Sequence, residues 1–116
     1  MILELPGVAS HNKTTMNKTL YLMAHMHLKA DEADAFEQTF REHARASRAK
    51  PGCLFFYLVR EEGDRSKYST MEAWENHDYF EQHVADDEHD KFQAKLQPVL
   101  REEVDARLYE LIQGMD

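Results

Sequence analysis

Positive charge is scarce in this sequence: 14 Lys and Arg stand against 22 Asp and Glu, a formal net charge of −8 over 116 residues. No Lys/Arg block interrupts that balance, so the chain has no basic stripe to meet a phosphate backbone, and nucleic acid is not an expected partner. Long apolar runs are also missing. None approaches the ~20 residues that a spanning helix needs, so no membrane partner is expected. The single cysteine, Cys53, rules out a disulfide within the chain, and the first residues lack the basic-then-apolar profile of a secretory signal. A reducing cytoplasm is the expected compartment. No glycine-rich dinucleotide fingerprint, phosphate loop or haem-attachment motif is found, so no bound cofactor is expected. His25 and His27 point the same way from one strand, but no third ligand stands at a telling spacing, so an interface or partly solvated role is expected for them and no metal. The acidic run Asp86-Asp87-Glu88 lacks the ligand and glycine spacing of a calcium loop and reads as a solvated helix entry.

What is present is the composition of one globular domain, 42% hydrophobic and 31% charged. Residues 1–17 have no sustained period and read as a flexible N-terminal extension; residues 18–116 form the folded domain. Leu20, Leu22, Ala24, Met26 and Leu28 alternate with Tyr21, Met23, His25 and His27, which predicts a strand over Thr19 to Leu28. Asp31 is placed to cap a helix whose Ala33, Phe36, Phe40, Ala44 and Ser47 recur at helical spacing and which stops before Pro51-Gly52. Leu54 to Glu61 and Lys67 to Glu75 read as a hairpin around Gly63. Asn76 caps a short helix through Ala85, and Asp87 opens another, whose Phe92, Leu96, Val99 and Leu100 share a face until Pro98 ends it. Val104 to Ile112 alternates as a fourth strand. The order is that of an α+β, ferredoxin-like βαββαβ domain, with helices on one face of an antiparallel sheet. On the other face the alternation leaves Tyr21, Met23, Phe56, Leu58, Met71, Tyr109 and Leu111 uncovered, which points to a homodimer joined there.

The chemistry-bearing residues gather around the third strand and the helices after it. Alternation turns Glu72 and Trp74 to one side, and helical spacing brings Phe80 and His83 over that side, with His89 and Phe92 beyond. Trp74 reads equally as a core side chain and as pocket lining. A carboxylate facing a core is costly unless it is paired, and with no Arg or Lys in reach His83 is the expected partner of Glu72. That pair reads either as a structural tether or as a general base oriented by a carboxylate. Leu22, Met26, Phe80 and Phe92 supply an apolar enclosure, His89 a rim or pocket residue, and Tyr57 or Tyr68 a hydroxyl for a phenolic substrate. Cys53 reads as a small buried hydrophobe.

Three local patterns then carry a resemblance: Lys50-Pro51-Gly52-Cys53 leading into the second strand, Glu72-Ala73-Trp74-Glu75 closing the third, and Phe80-Glu81-Gln82-His83 with His89 beyond. Over about residues 19–112 the chain resembles the antibiotic biosynthesis monooxygenase family, small dimeric α/β-barrel proteins that include quinol monooxygenases. The resemblance implies a cofactor-independent monooxygenase that oxidises a small quinol or other electron-rich aromatic with molecular oxygen. On that reading His83, Glu72 and Trp74 are catalytic, and Leu22, Met26, Tyr57, Phe80, His89 and Phe92 bind substrate. The family also holds haem-degrading enzymes, which carry an asparagine where this chain has Met26, and a signal-molecule isomerase. Two alternatives therefore stay open: isomerisation of a small oxygenated metabolite, and a non-catalytic dimeric module for a small hydrophobic ligand.

Overall fold

The computed structural model describes residues 18–114, so the extension over residues 1–17 lies outside the described part. Strand β1 (Leu20–His27) leads to helix α1 (Ala33–Arg48), strands β2 (Cys53–Arg60) and β3 (Lys67–Trp74), helices α2 (His77–Ala85) and α3 (Asp87–Leu96), a 3-10 turn (Gln97–Val99) and strand β4 (Asp105–Tyr109). The strands are antiparallel in the order β2-β3-β1-β4, and the helices cover one face, giving a ferredoxin-like α+β fold.

The alternation in β1 puts Leu20, Leu22 and Met26 into the core beneath the helices. Strand β3 is in register with it, pairing Leu22 with Glu72 and Leu20 with Trp74, so both of those β3 residues also face the helices. Strand β2 departs from the pattern expected of its sequence. An irregularity between Cys53 and Phe55 takes Leu54 out of the ladder, and beyond it Phe56 opposes Glu72 while Tyr57 opposes Met71. Phe56 is therefore buried and Leu58 packs against the core, whereas both were expected on the open face. A bulge reverses the strand's facing, so Phe55, Tyr57 and Val59 occupy the outer side instead. The ring of Phe55 lies 6.4 Å from Tyr21 and 5.1 Å from Tyr57.

Two helix caps also differ from expectation. Glu32 holds the N-cap position of α1 without a side-chain bond, and Asp31 belongs to the preceding turn. Asn76 caps α2 as expected, its Oδ1 accepting from the Tyr79 N–H at 3.1 Å. The cap of α3 is Asp86 rather than Asp87: a single extended residue separates the two helices, and its Oδ1 accepts from the His89 N–H at 2.9 Å.

Gly52 sets the approach of α2. Its φ is +80°, and a Cβ built there would run into the Tyr79 ring, while its carbonyl accepts from the Glu75 N–H at 2.8 Å. We expect Gly52→Ala to cost roughly 2–4 kcal/mol, the sum of a left-handed backbone penalty and an overpacked contact. Urea unfolding measures it. A loss under about 0.5 kcal/mol would mean that Tyr79 swings aside freely.

Candidate active site

Apolar packing forms two clusters, one around Leu22, Phe56, Trp74 and Phe80, the other around Met26, Phe36, Phe40 and Phe92. Imidazoles join them. His43 stands edge-on to Phe56 at 5.6 Å and stacks on Phe92 at 3.8 Å, with the rings 1° from parallel. His83 stacks on Trp74 at 4.5 Å, and His89 meets His83 edge-on at 5.0 Å.

Glu72 is buried on β3, and its expected partnership with His83 is corrected. Its Oε2 accepts from Thr70 Oγ1 at 2.8 Å and its Oε1 from Trp74 Nε1 at 3.0 Å, both on the same side of its own strand. Burial pushes this carboxyl up to about 7, against the two hydrogen bonds and the charge of Lys50. Near neutral pH it stands close to the balance between acid and carboxylate.

Lys50, which follows α1, is what reaches His83. Its Nζ lies 2.8 Å from His83 Nδ1, 3.0 Å from Asp86 Oδ2 and 2.6 Å from Glu88 Oε1. Burial, and then Lys50 itself, hold the His83 imidazole down at about 2, so the ring is neutral across the physiological range. Burial alone would raise the Glu88 carboxyl, but hydrogen bonds from His43 and Lys50 outweigh it and pull it down to about 2. The acidic run is thus only partly a solvated helix entry. Asp86 and Glu88 turn onto Lys50, while the exposed Asp87 pairs with Lys91 at 3.0 Å.

His89, expected at a rim or pocket, is buried, and its Nδ1 has no hydrogen-bond partner among the described residues. Burial, and then the neighbouring His43 and Lys50, hold it down at about 4. The sequence reading missed His43, although it sits at helical spacing among Phe36, Phe40 and Ser47 and its Nδ1 meets Glu88 Oε2 at 2.7 Å. It missed Lys50 and Glu88 as well, whose roles depend on contacts between distant parts of the chain.

These groups surround a chamber of about 40 Å³. Leu22, Met26, Glu72, Phe80, His83, His89 and Phe92 all line it, joined by His43 and Thr70. Trp74 stands behind this wall, supporting Glu72 and His83. Tyr57 is the exception among the expected site residues. The bulge in β2 turns it outward, 54% exposed, beside a groove that Arg41, Arg45, Arg48 and Arg60 also line. Tyr68 is buried and its hydroxyl donates to Glu37 Oε1 at 3.0 Å, so it does not serve the chamber either. Cys53 is half-buried against the first cluster. His25 meets Ser69 at 2.6 Å and His27 meets Glu102 at 3.0 Å, and among the described residues no cluster of metal-ligating side chains occurs. A chamber of this size has room for about one water-sized molecule, whereas a benzene ring takes a cavity of ~150 Å³. Side chains that line it must therefore shift for a ring to enter.

Solved structures share this architecture. PA3566 from Pseudomonas aeruginosa superposes with a TM-score of 0.77 at 23% identity, over 84% of this chain and 98% of that one. A crystal structure of an antibiotic biosynthesis monooxygenase gives 0.77 at 19% identity, over 81% and 99%. A variant of SnoaB, a cofactor-independent oxygenase from Streptomyces nogalater, gives 0.72 at 19% identity, over 84% and 97%. At these identities the likeness is one of fold. No curated protein sequence matches. The family model described as antibiotic biosynthesis monooxygenase matches residues 19–95, which include β1 to β3, His83 and His89 on the two later helices and the Lys50 cluster, and the chain belongs to that family.

Proposed function

We propose that the chain is a cofactor-independent monooxygenase that oxidises a small quinol or other electron-rich aromatic with molecular oxygen, working in the cytoplasm as a homodimer joined through the open sheet face. The observation that carries this reading is the small, largely apolar chamber onto which two neutral imidazoles, His83 and His89, and a carboxyl poised near neutrality all open. A neutral ring nitrogen has a lone pair free to take the phenolic proton, and the imidazolium so formed is paired with the phenolate beside it. Loss of a phenolic proton makes the aromatic a reductant. The anion passes an electron to oxygen, the two radicals join at a ring carbon, and the resulting hydroperoxide loses water. One oxygen atom stays on the ring, the other leaves as water, and the quinol supplies all four electrons. Leu22, Met26, Phe80 and Phe92 keep bulk water from these intermediates.

Oxygen uptake with a panel of quinols tests the reaction. A member of the panel should be consumed with one oxygen molecule per product, and His83→Ala should lower that turnover by about 100-fold or more while leaving the circular dichroism spectrum intact. Conversion of a hydroxycarbonyl compound with no oxygen uptake would favour the isomerase. Light scattering in solution reports the dimer, which exposed Tyr57, Val59, Met71 and Tyr109 on the outer face support.

A further inference from the structure

We propose that His43 and His83 form a matched proton acceptor and proton donor, with their tautomers set from outside the chamber by Glu88 and Lys50. The tautomers follow from counting protons. Lys50 Nζ sits within hydrogen-bond distance of three groups, Asp86, Glu88 and His83, and an ammonium has three N–H donors and no acceptor. His83 Nδ1 must therefore accept, which puts the ring's proton on Nε2. Glu88 is the mirror case. Its Oε1 accepts from Lys50 at 2.6 Å, and its Oε2, 2.7 Å from His43 Nδ1, belongs to an ionised carboxylate that can only accept. His43 Nδ1 must carry a proton, and whenever the ring holds that one proton alone its lone pair lies on Nε2.

Both fixed nitrogens face the Lys50–Glu88 cluster, so the free Nε2 atoms lie on the far sides of rings that both line the chamber. The rings are 5.8 Å apart and 27° from parallel. One offers an N–H and the other a lone pair, so a molecule between them is recognised best when it has an acidic hydroxyl next to an acceptor oxygen. That describes an ortho-dihydroxyaromatic or a hydroxycarbonyl compound. His43 takes the hydroxyl proton while His83 Nε2–H donates to the neighbouring oxygen and holds the molecule in place. Lys50 and Glu88 touch no substrate and are positioning residues. The tautomers stand on the hydrogen bonds alone; their use in turnover rests on the proposed reaction.

Long-range proton–nitrogen NMR on the full chain labelled with ¹⁵N-histidine reads the tautomers directly, with His43→Gln and His83→Gln assigning the two rings. At pH 7 the expected spectrum has His83 protonated on Nε2 alone and His43 protonated on Nδ1. Lys50→Met should release His83 into a mixture of tautomers and leave His43 unchanged, and Glu88→Ala should release His43. A wild-type His83 protonated on Nδ1, or a Lys50→Met spectrum in which His83 is unmoved, overturns the proposal. If Lys50→Met fails to fold, the wild-type spectrum and the Glu88→Ala spectrum decide. With a quinol that the wild type consumes, Lys50→Met should lower kcat by roughly 10–100-fold with KM within about twofold. Tautomers as stated together with no oxygen uptake on any quinol would reject the monooxygenase reading and leave the tautomer assignment standing.

Discussion

Trp74→Ala should lose about 3–5 kcal/mol of stability, the range for truncating a fully enclosed aromatic. The indole is completely buried, stacks on His83 and lies 6.4 Å from Phe80. Among the described residues its N–H is one of two donors to a buried carboxyl, so truncation also strips Glu72 of half that support. A domain of this size has about 5–15 kcal/mol in all, and each kcal/mol corresponds to about 4–8 °C in melting temperature. Calorimetry should therefore show a fall of roughly 12–40 °C. Trp74→Phe separates the two contributions, because it keeps a ring against His83 and removes only the donor. A Trp74→Ala loss under about 1 kcal/mol would mean that the chamber collapses to fill the space.

Stability should fall steeply on the acid side and level off near pH 7, with the chamber groups responsible. His83 and His89 are held at about 2 and about 4, below the ordinary 6.5. Between those values the unfolded chain binds the extra protons, so stability drops as pH falls below 6.5. Glu88, held at about 2 against an ordinary 4.5, adds to the loss below pH 4.5. Glu72 acts in the opposite sense. Its folded value of about 7 lies above the ordinary 4.5, so its contribution is complete below 4.5 and is lost as pH rises to 7. Two imidazoles outweigh one carboxyl up to about 6.5, and above that the rest of the imidazole gain offsets the rest of the Glu72 loss. Glu72→Gln should let stability go on rising through this range and gain roughly 3 kcal/mol above pH 7, because each tenfold change in proton affinity is worth ~1.4 kcal/mol. The amide fits the site: its oxygen accepts from Trp74, and the Thr70 hydroxyl turns to accept from its NH₂. Urea unfolding at intervals from pH 4 to 8 checks both statements, and parallel curves for the two proteins would contradict them.

Periodicity made the fold legible. Alternation in β1 and β3 correctly placed Leu22, Met26, Glu72 and Trp74 beneath the helices, and the spacing of Phe36, Phe40 and Ser47 marked the buried face of α1. Strand β2 escaped because alternation carries no sign of a residue leaving the ladder, and one such residue at Leu54 moved Tyr57 out of the site and Phe56 into it. The site was legible as a set of residues more than as a set of bonds. Glu72 found its donors two positions away on either side, the nearest neighbours on its own face, whereas the ties of Lys50 cross 33 to 38 residues and could not be read from local spacing. His43 was within reach of the same helical argument that identified Phe40.

Asp86 ends one helix, caps the next and holds Lys50, so the joint between α2 and α3 is pinned to the end of α1 chiefly by charge. Any guest too large for 40 Å³ has to lift that joint or the side chains beside it, and lifting the joint strips Lys50 of Asp86, Glu88 and His83 in a single movement. Dissolved ions weaken such a latch far more than they weaken greasy packing. Entry of a guest by that route is thus tied to the charge pairs of Lys50, which makes the buffer's ionic strength a control on admission, and the ring tautomers are set again once the joint has closed over the guest.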